Sequence, residues 1–535
     1  MHKILQTFFT EKIFVCNVCL YMCILLSVNG FAEDELNNKD MKNLFNHFAV
    51  LCAALVLAGC DAGYMMDGIY YPSAPDGDLP MEETPSGDQY EEFADNPFID
   101  TKEQDVSTFS VDADGASYSN VRRYILEDGW LPPADAVRIE EFLNYFTFNY
   151  PDPSDGNTVA INAEVGPCPW TPEHRLMRLG IKGKSMKDSE LPDANFVFLI
   201  DVSGSMNSAD KLDLLKSSLK TLVDYMRPTD RISIVTYSGS VKKLLESTLA
   251  KDASKIKKAI SKLTASGSTA GGAALEMAYE EALENFIEGG NNRVIMGTDG
   301  DFNVGVTDSD ALVEMVQDYA SQGVYMTVCG FGHGNLNDSM MEKISNNGNG
   351  TYEYIASEED MTKVFVNERS EFFSVANDAK IQVKFDSEKV AQYRLIGYEN
   401  RILSNDDFEN DDKDAGEIGA GQTITALYEI VPVSDGSLDE GTLAVFDFRY
   451  KKALGEASIP LSLDIVPSDA LTFSPELSFA AGVASYGMLL RNSPYKGDSS
   501  FEKARDLAKA GLEFDPFGYR ADFINLVERT MTIDW

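Results

Sequence analysis

The sequence predicts an α/β protein: a doubly wound, mostly parallel sheet, an antiparallel β-sandwich-like domain after it, and a C-terminal helical segment. The apolar run Phe196 to Ile200 and the segment 291–299 each read as a buried strand that ends at a carboxylate. Helical stripes alternate with such strands through the middle of the chain, the order that a parallel sheet with crossover helices requires. Beyond about residue 376 the apolar period falls to two, and beyond about residue 475 it returns to helical spacing.

Each element follows from its pattern. A helix from Lys211 to Met226 repeats Leu212, Leu215, Leu219, Leu222, Val223 and Met226. Arg231 to Tyr237 reads as the next strand and Ala253 to Leu263 as a helix. The glycine-rich run 267–272 opens a helix whose core face is Leu275, Ala278, Ala282, Leu283 and Phe286. Asp310 to Gln322 is a helix ended by Gly323; Val324 to Gly330 and Thr351 to Ile355 are the last strands, and Glu358 to Phe373 a closing helix. Strict alternation over Ala379–Phe385, Thr423–Val431 and Leu443–Tyr450 gives the sandwich. Phe479, Val483, Tyr486 and Leu490 mark a helix expected to pack on the rest.

A chain of 535 residues exceeds what one core supports. The expected divisions are 41–60 signal peptide and lipobox, 61–95 unfolded acidic linker, 96–190 N-terminal associated domain, 191–375 α/β domain, 376–470 sandwich-like domain and 471–535 helical region. A net charge of −41 argues against nucleic acid, whose phosphates such a surface repels.

From Met41 the chain shows a short basic start, an apolar run from Phe48 to Leu57, and Leu57-Ala58-Gly59-Cys60, the pattern of a secretory signal peptide with a bacterial lipobox. Cys60 is the expected lipidation site, and more than one acyl chain makes such an anchor stable. Residues 13–32 are apolar and about long enough to span a bilayer. Because a complete signal begins afresh at Met41, residues 1–40 are expected to be an upstream extension that is not translated, the alternative being a membrane helix. Of seven cysteines only Cys168 and Cys329 lie beyond Cys60, and Cys329, inside an apolar strand, is expected to be a buried thiol. The acidic, Pro- and Gly-rich linker lacks apolar periodicity and so stays unfolded.

Function is most legible at the end of the first apolar run. Asp201, Ser203 and Ser205 form Asp-Val-Ser-Gly-Ser, three oxygen side chains at alternating positions on one tight turn. A carboxylate and two hydroxyls are hard ligands suited to Mg²⁺, Mn²⁺ or Ca²⁺ rather than Zn²⁺ or copper. Asp299 ends the second expected strand, and Thr269 is a loop hydroxyl at a helix start. Parallel sheets place ligands outside strand carboxyl ends where strand order reverses, so one crevice is expected to receive both acids.

Asp201-x-Ser203-x-Ser205, Thr269 and Thr298-Asp299-Gly300 together resemble the metal-ion-dependent adhesion site of von Willebrand factor A (vWA) domains. The resemblance implies a vWA, Rossmann-like sheet, a cation contacted by Ser203, Ser205 and Thr269, and Asp201 and Asp299 contacting it directly or through water. It also implies an open coordination position, which in integrin-type members an Asp or Glu of a partner protein fills. The runs 109–123, 131–141, 394–401 and 414–421 resemble the bacterial YfbK-like family, with coverage of about residues 90–535. Gly115 stands where that family more usually has Thr.

Other chemistry is poorly provided for. The acidic run Asp406 to Glu417 places Ala415 where a calcium loop needs Gly, and reads as a solvated loop. There is no His-Glu-x-x-His, no Gly-x-Ser-x-Gly and no glycine-rich lysine loop, and His174 and His333 are the histidines beyond the signal segment. A hydrolase using Ser203 or Ser205 would need a base that the sequence does not supply beside them. The expectation is therefore a non-enzymatic lipoprotein of the bacterial cell envelope, lipid-anchored to a membrane and facing periplasm or surface. It would bind a divalent cation, Mg²⁺ first and Mn²⁺ or Ca²⁺ as alternatives, at Asp201, Ser203, Ser205, Thr269 and Asp299. Through that ion it would bind an envelope protein presenting an Asp or Glu carboxylate. The alternatives are a scaffold whose metal site docks within its own chain, and a metal-dependent hydrolase using Asp301 or His333.

Overall fold

The computed structural model describes residues 87–535 except 112–113, 155, 268–271, 301–308, 412, 414, 434–440, 454, 468–472 and 534–535. The signal segment, Cys60, Thr269 and Asp301 lie outside the described residues.

A six-stranded sheet forms the centre of the described chain. Its strands are β1 (Ala194–Asp201), β2 (Arg231–Tyr237), β3 (Val241–Leu249), β4 (Asn291–Thr298), β5 (Val324–Phe331) and β6 (Tyr352–Ile355), in the order β6-β5-β4-β1-β2-β3. All neighbours are parallel except β3, an antiparallel edge on β2. Every residue of β1 is buried, and its run of apolar side chains divides between two cores. Phe196, Phe198 and Ile200 pack with Leu215, Leu219 and Leu222 of helix Leu214–Tyr225. Val197 and Leu199 pack with Leu275, Ala278 and Ala282 of helix Gly272–Glu284. An unbroken apolar sequence is what a strand covered on both faces needs. Chain order runs outward in opposite directions from β1 and β4, so the reversal of strand order falls between them.

Two antiparallel sheets follow, but they are not made from the C-terminal part alone. One orders Ile99–Asp100, Val390–Ile396, Thr423–Pro432, Arg175–Gly183 and Val159–Pro167 side by side. The other is built on Ser374–Phe385, which pairs with Val106–Ser110, Gly416–Gly419 and Ala444–Lys451. The expected domains 96–190 and 376–470 are thus interleaved layers around one core that includes Leu179, Ile181, Ile381, Val383, Tyr428 and Phe446. Alternation within a strand reveals its pairing face and not its partner, so sequence alone separates segments that the fold joins. Helices Pro475–Leu490, Phe501–Ala510 and Tyr519–Thr530 pack with Ala116–Arg123 and Ile139–Asn144 in a further core.

Three local expectations are corrected. Residues 87–95, assigned to the unfolded linker, form an ordered strap: Gln89 bridges Asn337 in parallel, and Asp95 pairs with Arg491 at 2.9 Å. Polar anchors rather than an apolar stripe hold it, so it has no period to read. The closing helix breaks into Glu358–Thr362, a π-turn Lys363–Asn367 and a 3-10 turn Arg369–Phe372. Phe286 lies beyond helix Gly272–Glu284 and is exposed, whereas Leu275, Ala278 and Ala282 are buried as expected. Both Cys168 and Cys329 are buried free thiols, and burial pushes both above the usual thiol range.

Candidate metal centre

The reversal of strand order brings the carboxyl ends of β1 and β4 together. Ile200 registers with Gly297, so Asp201 and Thr298 emerge side by side and Asp299 follows at once. Both aspartates are fully buried. The Ser203 N–H donates to Asp201 Oδ1 at 2.7 Å, and the Thr298 hydroxyl donates to Asp201 Oδ2 at 3.4 Å. The Ser203 and Ser205 hydroxyls lie 2.8 Å apart, the first buried and the second exposed. The turn therefore directs two hydroxyls and a fixed carboxylate toward one place open to solvent on one side.

Thr269 lies outside the described residues, but the loop leading to it is placed. Ser266 N–H donates to Val202 O at 2.7 Å, and Gly204 N–H to Gly267 O at 3.1 Å. Gly267, at φ +86°, is held against the Asp201 turn two positions before Thr269. Gly300 follows Asp299 at φ +88°, and a Cβ there would stand 2.4 Å from Asn337 N, which only glycine avoids.

Burial, with a contribution from the Asp299 charge, pushes the Asp201 carboxyl up to about 6. Burial and the neighbouring Asp201 carboxylate likewise hold the Tyr237 phenol well above its usual range. Two buried carboxylates beside each other, with hydroxyl oxygens converging on them, are a donor set short of positive charge. Such a set fits a small, hard divalent cation. Among the described residues, those able to hold one are Asp201, Ser203, Ser205 and Asp299.

Two groups at the site, Lys211 and Tyr237, were not legible as site residues, and Thr298 was legible only as part of the run Thr298-Asp299-Gly300. Lys211 Nζ donates to Asp299 Oδ2 at 3.0 Å and to Asn335 Oδ1 at 2.8 Å, yet in sequence Lys211 reads as an ordinary residue at a helix start. Thr298 has a strand-end role only once its Asp201 neighbour is known, and Tyr237 requires the β1–β2 register to be placed. His333 is exposed, 3.4 Å from Asp210, and is not within this hydrogen-bonded set. A cavity of about 350 Å³ whose lining includes Arg293, Glu353 and Glu371 lies elsewhere and takes in none of these described site residues.

Fold and site together define a von Willebrand factor type A domain protein. Residues 195–368 match the family described as von Willebrand factor type A domain. Residues 84–178 match a family described as von Willebrand factor, and residues 370–533 one described as uncharacterized protein YfbK, C-terminal. The chain is 40% identical over 469 residues to the uncharacterized protein YfbK of Escherichia coli strain K12, covering 83% of this chain and 81% of that one. It is 25% identical over 191 residues to an uncharacterized protein of Synechocystis, covering 36% and 44%. Among solved structures it is similar to a von Willebrand factor type A protein from Catenulispora acidiphila, with a TM-score of 0.42, 15% identity and coverage of 71% and 91%. The chain belongs to the YfbK family.

Proposed function

We propose that this protein is a lipid-anchored lipoprotein of the bacterial cell envelope whose vWA domain binds a divalent cation, Mg²⁺ foremost, and through it the Asp or Glu carboxylate of another envelope protein. The observation that carries this reading is the meeting of Asp201 and Asp299, both fully buried, at the reversal point of the sheet. Buried carboxylates without enough counter-charge are costly unless a cation completes them. Ser203, Ser205 and Thr269 would supply the remaining protein oxygens, and one side of the turn stays open for a partner's carboxylate. Binding rather than hydrolysis is favoured because the carboxylate against the Ser203 hydroxyl, Asp201, is itself one of the proposed holders of the cation, and His174 and His333 pair with Glu429 and Asp210. The two hydroxyls face each other, and His333 lies elsewhere.

Cys60 would carry the lipid, with the acidic linker holding the folded part off the membrane surface. Pull-downs from solubilised envelopes of the native host, with Mg²⁺ or with EDTA, test the reading. A partner retained by the wild type in Mg²⁺, and lost both with EDTA and in Asp201→Ala, supports it; retention in EDTA contradicts it. Membrane fractionation of Cys60→Ala tests the anchor, which predicts its release to the soluble fraction.

A further inference from the structure

We infer that Lys211 is a built-in counter-charge of the metal centre, weakening cation binding and leaving the loaded site positively charged, so that it selects an anionic carboxylate over a neutral oxygen donor. This rests on the metal-site reading above and goes beyond it, because none of the motif residues supplies a positive charge.

The placement of Lys211 is specific. Its ammonium touches Asp299 Oδ2 and Asn335 Oδ1, and the residue is buried. Its stem lies along the backbone of Gly332, where a Cβ would stand 2.3 Å from Lys211 Cε. Gly332 has φ +71°, and its carbonyl accepts the Tyr354 hydroxyl at 2.7 Å, which fixes the surface that the stem crosses. Lys211 also sits in the opening turn Ala209–Asp213, directly before helix Leu214–Tyr225. That is the end of a helix where a cation is disfavoured by the backbone dipoles, so helix stability does not account for it.

Charge counting among the described site residues gives the consequence. Asp201 and Asp299 alone would neutralise a divalent ion and leave a loaded site with no net charge. With Lys211 the unloaded site carries one negative charge and the loaded site one positive charge. Repulsion between ammonium and cation lowers metal affinity, and the surplus positive charge raises affinity for an incoming carboxylate, in a partly buried setting where screening is weak. A purely positioning role for Lys211 predicts the opposite sign for the metal, because loss of the contact would leave Asp299 less well oriented and the metal more weakly bound.

The test uses the full chain in detergent with Mn²⁺ as the cation and acetate as the carboxylate, both read by water-proton relaxation. Wild type is compared with Lys211→Met and Lys211→Gln; the second keeps a hydrogen-bonding head should the first fail to fold. The inference predicts Mn²⁺ bound about tenfold tighter or more in both variants, and acetate bound at least about threefold more weakly to their Mn²⁺-loaded forms. Mn²⁺ affinity unchanged or weakened in a folded variant overturns it. Absence of Mn²⁺ binding to the wild type would instead overturn the metal-site reading beneath it.

Discussion

Arg138 Nη2 lies 2.7 Å from Asp338 Oδ2, joining the segment before the central sheet to the first turn of helix Asp338–Asn347, beside the candidate metal centre. The same nitrogen is 2.7 Å from Glu342 Oε2, and Nη1 is 3.0 Å from Glu141 Oε1. All four side chains are almost fully buried. Replacing Arg138 by Met takes a shared counter-charge from three buried carboxylates, and the loss expected is roughly 3–5 kcal/mol. Urea unfolding followed by circular dichroism checks this; a loss under about 1 kcal/mol would mean that the cluster is hydrated rather than buried.

A second ionic site makes stability depend on pH. Burial pushes the Glu353 carboxyl up to about 7, against a partial opposing pull from Lys363. The folded value lies above the unfolded one, so stability from this group is full below about pH 4.5 and is lost as pH rises through about 7. Glu353→Gln should therefore gain about 2–3 kcal/mol at pH 8 and nothing at pH 4. Thermal melts across that window read the difference, and a variant that gains equally at both pH values would remove burial of the charge as the cause.

The centre of the fold was readable because its forces are local. Phe196 to Ile200 is apolar at every position since both faces of β1 are covered, and the acid that ends it marks where the sheet meets solvent. Asp201, Ser203, Ser205 and Asp299 were legible for the same reason, their spacing being set by a single turn and a strand end. What could not be read were relations between distant segments. The pairing of Arg175–Gly183 with Thr423–Pro432, and of Val106–Ser110 with Ser374–Phe385, leaves no trace in either partner's own alternation. Lys211 escaped similarly, since a lysine beginning an amphipathic helix looks solvated until Gly332 is seen to clear space for its stem.

The strap at 87–95 should control the loop beside the candidate metal centre. Asp88 Oδ1 accepts the N–H groups of Gly334 and Leu336 at 2.7 and 3.0 Å, on either side of the Asn335 that holds Lys211. Asp88→Ala removes these acceptors, and amide exchange at Gly334 and Leu336 is expected to quicken by about tenfold. Hydrogen-exchange mass spectrometry measures it, and unchanged protection would show that the loop holds itself.

Gly332 and Lys211 should be energetically coupled. Gly332→Ala forces a Cβ into the Lys211 stem at a positive φ, at a cost of about 1–3 kcal/mol. Combined with Lys211→Ala, which clears the stem, the two changes should together cost less than their sum by about 1 kcal/mol or more. Strict additivity in the double-mutant cycle would argue that backbone strain alone sets the cost.

Isothermal titration of Mg²⁺ into the chelator-treated full chain, set beside the same titration of Asp201→Ala, bears most directly on the convergence of the Asp201 turn and Asp299. The account predicts one Mg²⁺ per wild-type chain and none in the variant. Wild-type protein that takes up no Mg²⁺, or a folded Asp201→Ala that takes it up equally well, would contradict it.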